Sequence, residues 1–183
     1  MSNLTDFFPS GGGGGLTPKF QEFNASGNFY PSQALIDAGG YIEVFLVGGG
    51  GKPGGSDYGG CGGEVAIKKL NLTSIAACYV IIGNGATTSN GAGGNTFFDY
   101  SGQYLVAYGG EASSQYAWHT SSPSWGAKQY EGSAGNGVFG YGAGGKAAPG
   151  PGAGITTPKP NSGQGGTSSS VAGSGYCLIK WYE

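Results

Sequence analysis

Residues 41–63 read YIEVFLVGGGGKPGGSDYGGCGG, and this stretch decides the fold. The apolar, β-branched and aromatic run Tyr41–Val47 has the composition of a β-strand, and glycine follows it without a break. Glycine loses more backbone freedom on folding than any other residue. Order therefore requires these glycines to lie where no side chain would fit, and the stretch predicts a strand that runs into closely packed glycine.

The same alternation of apolar runs and glycine continues along the whole chain. Glycine accounts for 42 of the 183 residues, and the chain also carries 12 Tyr, 9 Phe and 3 Trp. A disordered linker has few aromatic residues. The composition therefore predicts a folded protein built around glycine.

Five runs bounded by glycine or polar residues have strand composition: 41–47, 64–70, 77–82, 103–108 and 176–182. Weaker candidates are 20–23, 27–30 and 96–99, and no window has a helical apolar period free of glycine. We therefore expect an all-β fold: an antiparallel β-sandwich of about seven or eight short strands with long glycine-rich loops, spanning residues 20–183.

Alternation along the strands assigns their faces. Glu43 and Lys180 are expected to face solvent, and Lys69 to extend its amine to water from the end of its strand. The predicted core comprises Ile42, Val44, Leu46, Val65, Ile67, Cys177, Ile179 and Trp181.

The glycine segments 48–63, 84–95 and 132–166 are too long and too glycine-dense for hairpin turns. Two arrangements remain open: polyglycine II strands, with three residues per turn, or irregular but ordered loops. Collagen is excluded because Lys146, Ala147, Ala148 and Pro149 interrupt any repeat of glycine at every third position.

Composition excludes several functional classes. Charged residues are only 10% of the chain and the net charge is −2, so no basic surface for nucleic acid or anionic membrane is expected. No signal-peptide pattern occurs at the start and no apolar run is long enough for a membrane helix. Cys61, Cys78 and Cys177 lack metal-site spacing and are predicted to be small buried residues of a protein made in a reducing cytosol.

Two stretches match motifs of known ligand-binding sites, but their neighbouring residues do not fit those sites. Residues 135–140 (GNGVFG) match a dinucleotide fingerprint, but glycine follows where a helix is needed. Residues 140–146 resemble a phosphate-binding loop, but Ala147 replaces the hydroxyl residue that would hold Mg²⁺. His119 is the only histidine and no nucleophile motif accompanies it. We therefore predict a non-enzymatic protein without cofactor or metal.

One segment departs from the strand and glycine rhythm: residues 113–131, SSQYAWHTSSPSWGAKQYE. Tyr and Trp among small polar residues is typical of a recognition loop, and a packed loop that covers one end of the sandwich is the alternative. Aromatic residues between glycines elsewhere are predicted to be exposed. The candidate binding residues are Tyr116, Trp118, His119, Trp125 and Tyr130, with Tyr58, Phe139 and Tyr141 in the glycine segments.

Residues 1–19 have a different composition. Phe7, Phe8 and Pro9 precede five glycines. We interpret this region as an attachment peptide on a flexible glycine tether, which would hold the domain to another protein.

Five segments follow one another along the chain in an order that is similar to that of a known protein family. They are FNASGNFY (23–30), YIEVFLVGGGG (41–51), GGCGGEV (59–65), YVIIGNG (79–85) and GSGYCLIKWYE (173–183). This order resembles that of the glycine-rich domains at the tips of tailed-phage tail fibres, over roughly residues 20–183. The resemblance implies an adhesin whose side-chain-rich loops, between polyglycine strands, contact a host cell-surface glycan or outer-membrane protein.

The resemblance further implies a virion location at the tail fibre or tail tip after synthesis in the host cytoplasm, other tail proteins as partners, and a homo-oligomer, with a trimer favoured. Neither nucleic acid nor membrane insertion is expected. The main alternative is a purely structural virion component, such as a fibre-tip cap or a spike or capsid-associated protein. An ice-binding protein and a hydrolytic tail enzyme are weaker alternatives, because the threonines are irregularly placed and no catalytic group is visible.

Overall fold

The computed structural model describes residues 15–54, 60–112, 160–167 and 169–183, together with the backbone of 128–130. The described elements, in chain order, are β1 (Pro18–Phe23), β2 (Gly27–Phe29), α1 (Gln33–Asp37), β3 (Tyr41–Val47), β4 (Val65–Asn71), β5 (Cys78–Ile81), β6 (Thr96–Tyr100), β7 (Gln103–Ala107), β8 (Lys128–Tyr130) and β9 (Tyr176–Tyr182). The first strand begins at Pro18, so the sheet includes two residues of the predicted N-terminal segment.

The strands form two antiparallel sheets. The larger sheet has the order β1-β9-β3-β4-β8 and the smaller sheet the order β2-β5-β6-β7. All eight predicted strands are present, with ends shifted by no more than two residues, while the short strand β8 had not been predicted. The expected all-β sandwich is therefore confirmed.

The main core lies between the two sheets. The larger sheet contributes Ile42, Val44, Leu46, Cys177 and Ile179, and the smaller sheet contributes Phe29, Val80, Phe98 and Leu105, all with 1% or less of their surface exposed. Trp181 packs edge-on against Phe29, with ring centroids 5.2 Å apart. The predicted inward faces of β3 and β9 are confirmed, and Lys180 is exposed as expected.

The prediction that Val65 and Ile67 face the main core is wrong, because the other face of β4 does so. Ala66 and Leu70 fill this core, because their register partners Leu46 and Ile42 point inward. Val65 is buried on the opposite face, in a second cluster with Val47 and Tyr176, and Ile67 packs half-buried against that cluster. Both faces of β4 carry buried apolar residues. Alternation alone could therefore not identify which face lies in the main core. Lys68 is partly buried, which lowers the pKa of its ammonium group.

The short helix α1 was not predicted. Its N-cap is Ser32, whose hydroxyl accepts a hydrogen bond from the Leu35 amide at 3.0 Å, and Leu35 is buried in the main core. A single capped turn with one buried apolar residue is too short to produce a helical period in the sequence.

Beyond the ends of β3 and β4, the chain forms a compact array that we call the glycine bundle: a central segment, 48–51, and six segments around it. The central amides donate in turn to three neighbours: Gly48 to Glu64, Gly49 to Gly94 and Gly50 to Gly173, each at 2.9 Å. The fourth amide, that of Gly51, donates to the Cys61 carbonyl, which belongs to the same surrounding segment as Glu64. The partner thus repeats every third residue, which is the hydrogen-bonding pattern of polyglycine II strands.

The central carbonyls complete the pattern with three other neighbours. Gly49, Gly50 and Gly51 accept from Gly110, Ala86 and Gly166, at 2.7 to 2.9 Å. The six surrounding segments, in order around the ring, are 60–64, 108–111, 91–94, 83–86, 172–175 and 163–166, and each is hydrogen-bonded to the next. Of the two arrangements that the sequence left open, the described glycine segments thus adopt the polyglycine II one.

Buried and half-buried polar side chains join the sheets to the glycine bundle. Thr96 is fully buried and its hydroxyl accepts from the Gly83 amide at 3.0 Å. Glu64, 1% exposed, accepts from the Tyr108 amide at 3.2 Å, and the Asn95 amide oxygen accepts from the Gly109 amide at 2.9 Å. These groups satisfy backbone amides where sheet pairing gives way to the bundle.

Replacing Thr96 by the isosteric valine should therefore destabilise the domain by about 1–3 kcal/mol, because the buried Gly83 amide loses its acceptor. Urea denaturation followed by circular dichroism measures the loss. Thr87→Val, at an exposed position, is the matched control and should change stability little. Equal stability of Thr96→Val and wild type would show that this amide does not depend on Thr96.

Candidate functional site: the far end of the glycine bundle

The molecule has two different ends. At the sheet end, the backbones of Thr17 and Glu183 pair through two hydrogen bonds of 2.8 and 3.1 Å. The Glu183 side chain accepts from the Ser32 hydroxyl and lies 3.9 Å from the Lys19 ammonium. The hydrogen bond from Ser32 holds the pKa of the Glu183 carboxyl below its usual value. The chain therefore passes to residues 1–14 from a fixed position at this end.

The opposite end, here called the far end, is where the central segment of the glycine bundle stops. Lys52 bridges to Gly91, and Gly60 donates to Gly166 at 2.9 Å. The turn 87–90 connects two bundle strands at this end, and the described residues Gly54, Gly60, Thr167 and 169–171 lie here as well. Ala112, after which the segment 113–127 begins, directly follows the bundle strand 108–111. Several connections therefore start from one rigid platform.

The described surface of the far end is polar and nearly neutral. The Thr167 hydroxyl lies 2.8 Å from that of Ser170 and 3.2 Å from that of Ser169. The Lys52 ammonium donates to the Thr87 carbonyl at 3.4 Å, and Val171 is about half exposed. Hydroxyls and backbone groups of this kind can hydrogen-bond an uncharged ligand.

Most of the sequence-predicted site residues lie outside the described part of the chain: Tyr58, Tyr116, Trp118, His119, Trp125, Phe139 and Tyr141, as well as the predicted attachment residues Phe7, Phe8 and Pro9. For Tyr130 only the backbone is described, and it pairs with Val65 at the edge of the larger sheet. The geometry thus gives the starting points of the segments 55–59 and 113–127 at the far end, and these remain the candidate receptor-binding segments.

Sequence reasoning missed a second surface, the outer face of the smaller sheet. Tyr79, Asp99 and Tyr104 stand side by side on three adjacent strands, and Ile81 is paired with Phe97 in the neighbouring row. A groove of about 420 Å³ runs between these side chains. The sequence of β5, CYVI, does not alternate between polar and apolar residues, so it gave no signal from which this outer face could have been predicted.

The thiols have little reactivity. Cys61, Cys78 and Cys177 are all buried, and none of the three is part of a disulfide. Burial raises the pKa of the Cys61 and Cys78 thiols to about 11 and raises that of Cys177 further. Because the thiolate is the nucleophile, these cysteines behave as small apolar residues, as the sequence predicted.

Within the described ranges, no group of three or more His, Cys, Asp or Glu side chains is placed to hold a metal ion. The helix of this part of the chain, α1, is too short to cross a membrane. No protein-family model matches the chain, and no curated protein is significantly similar to it.

Proposed function

We propose that this chain is a non-enzymatic phage tail-fibre or tail-tip protein that binds a host cell-surface receptor, a glycan or an outer-membrane protein, through segments carried by the far end of the glycine bundle. The observation that carries the proposal is that different parts of the chain leave the domain at its two ends. The chain continues to residues 1–14 from the sheet end, while the segment that contains Tyr58 lies between Gly54 and Gly60 of the far end. The segment that contains Trp118 and Trp125 leaves the far end after Ala112 and rejoins the edge of the larger sheet at Lys128.

The glycine bundle suits such a role because it is rigid. Each central residue is held by hydrogen bonds to neighbouring backbones, and an added side chain would collide with backbone atoms at nearly every packed position. A platform of this kind holds the ends of its loops in place, so less conformational entropy is lost when the loops bind. Aromatic side chains then supply contact area, by stacking on sugars or packing on protein.

Assembly into a virion would strengthen weak individual contacts. A homo-oligomer, with a trimer as the favoured state, and several copies per particle would raise the overall avidity without new contacts. In this proposal the attachment segment 1–19 holds the domain to other tail proteins, and the far end points away from the particle.

One observation favours the alternative, a purely structural virion component. Both sheets expose aromatic residues on their outer faces, including Phe20, Tyr41, Tyr79 and Tyr104. Exposed apolar patches often mark contacts between proteins in an assembly. In that alternative the sheet faces, rather than the loops at the far end, carry the function.

Binding of the purified protein to intact candidate host cells distinguishes the two functions. We expect Trp118→Ala/Trp125→Ala to lower the affinity at least about tenfold, since tryptophan residues dominate binding energy at interfaces. Circular dichroism and sedimentation must show normal folding and assembly of the variant.

The matched control removes two exposed aromatic residues from the larger sheet, Phe20→Ala/Tyr41→Ala, and should bind as wild type does. If this control loses binding and the tryptophan variant keeps it, the site lies on the sheet and the proposed location is wrong. A wild-type protein that assembles into virions but binds none of the cells would support the structural component instead.

A further inference from the structure

The groove on the outer face of the smaller sheet lies apart from the far end of the glycine bundle. Its two sides are the rings of Tyr79 and Tyr104, which are 56% and 54% exposed. Asp99 lies between them, because it is the register partner of Tyr79 on one side and of Tyr104 on the other. The volume of about 420 Å³ is in the range of ligand-binding clefts.

Asp99 is the ionisable acid in this groove. Its Oδ1 atom accepts a hydrogen bond from the Gly102 amide at 3.0 Å, which fixes the carboxylate at the β6–β7 turn. Among the described residues, Asp99 has no cationic partner, and no lysine lines the groove. A carboxylate flanked by two aromatic rings is complementary to a positively charged group, through a charge-assisted hydrogen bond and cation–π contacts.

The residues beside Asp99 on this face indicate which chemical group should carry the positive charge. Phe97 lies two residues before Asp99 on the same face, and its register partner Ile81 is half exposed. Alternate residues of a strand are about 6.8 Å apart. This apolar row therefore suits an aliphatic stem that ends in a positive charge, as in lysine. Ser26 and Asn28 also line the groove, but the Ser26 hydroxyl already accepts from the Ile82 amide at 3.0 Å and the Asn28 amide donates to the Tyr30 hydroxyl at 3.1 Å.

We propose that this groove binds a lysine side chain presented by a partner protein, with the ammonium group at Asp99 between the two tyrosine rings and the stem along Phe97 and Ile81. Nine residues line the groove, against about 20–30 residues on each side of a stable protein interface. The groove therefore takes up a single projecting side chain rather than the whole face of another sheet. This inference does not rest on the proposed receptor function.

The experiment is an NMR titration of the ¹⁵N-labelled protein with Nα-acetyl-lysine methylamide. We expect shifts of the amides of β5 and β6 that saturate and that weaken as salt is added. The matched probes are the Nε-acetylated form, which has lost the charge, and the norleucine analogue, which keeps the stem alone. Both should bind at least about fivefold more weakly, because neither carries the ammonium charge.

Variants of the chain locate the site. Asp99→Asn keeps an oxygen for the Gly102 amide but removes the charge, and should weaken lysine binding by about tenfold. Tyr104→Leu removes one ring and should weaken it about threefold. Glu43→Gln, on the larger sheet, is the charge-matched control and should bind as wild type does.

Three outcomes would overturn the proposal: no saturable shifts in β5 and β6, equal binding of the lysine and norleucine probes, or unchanged binding by Asp99→Asn. Tighter binding of glucosamine than of the lysine probe would also overturn it, and would assign the groove to amino sugars.

Discussion

Gly50→Ala is expected to destabilise the domain by more than about 3 kcal/mol, beyond the usual range for an overpacked core. The added Cβ would lie 2.1 Å from the carbonyl oxygen of Gln164 and 2.5 Å from its carbonyl carbon. Real Cβ atoms essentially never approach backbone this closely, so one of the two strands would have to move. Because small domains are stable by only about 5–15 kcal/mol, such a loss removes much of the total.

Neither strand can move at low cost. Gly50 donates to Gly173 and accepts from Ala86, while the Gln164 carbonyl that the new methyl group would strike accepts from Gly173. Separating the strands therefore breaks hydrogen bonds among buried backbone groups, and each unpaired group costs about 1–3 kcal/mol. The effect reaches the far end of the bundle, so the same variant should lose any binding that depends on this platform.

Denaturant unfolding followed by circular dichroism measures the effect, with Gly27→Ala as the matched control. At Gly27 the nearest atoms to an added Cβ are ring carbons of Phe23 at 3.6 Å, which is ordinary contact. The control should stay within about 0.5 kcal/mol of wild type. If Gly50→Ala were equally stable, the central segment could not be enclosed as closely as described.

The strands were predictable because their side chains carry the information. Tyr41–Val47 and Tyr176–Tyr182 were located to the residue from their β-branched and aromatic composition, and their inward faces followed from alternation. The face of β4 was not predictable in the same way, because Val65 and Ala66 are both buried, on opposite sides of the sheet.

The neighbours within the glycine bundle could not be derived from the sequence. A glycine segment has no side chain to distinguish one partner from another, and most of the contacts of 48–51 join residues far apart in the chain. Gly50 lies against 164–165, donates to Gly173 and accepts from Ala86, and only the positions of the flanking strands determine this set of neighbours. Composition therefore predicted that the glycines are packed, but not which segments surround 48–51.

The candidate sites differ in what the sequence revealed. The aromatic segments around Trp118 and Trp125 were noticeable from composition, and they remain predictions. The groove at Asp99 was missed, because Phe97 and Phe98 are both aromatic and give no alternation from which to tell the faces of β6 apart. Only the pairing of β6 with β5 and β7 places Asp99 between two tyrosines.

Those two phenylalanines supply the second large prediction. Phe98→Ala should destabilise the domain by about 3–5 kcal/mol, because Phe98 is fully buried in the main core and its removal leaves a cavity there. Phe97→Ala should cost about 1 kcal/mol, since this side chain lies half-buried on the outer face. Urea denaturation of the two variants side by side measures the difference.

The comparison tests the register of β6 as well as its burial. A shift of one residue would move every side chain of this strand to the other face. Phe97→Ala would then be the more damaging change, and Asp99 would point into the core instead of standing between Tyr79 and Tyr104. Equal or reversed losses would therefore contradict the described pairing and would also remove the geometric basis for lysine binding. The predicted order, with Phe98 the larger loss, leaves the Asp99 carboxylate on the outer face, where the Asp99→Asn titration can test its role.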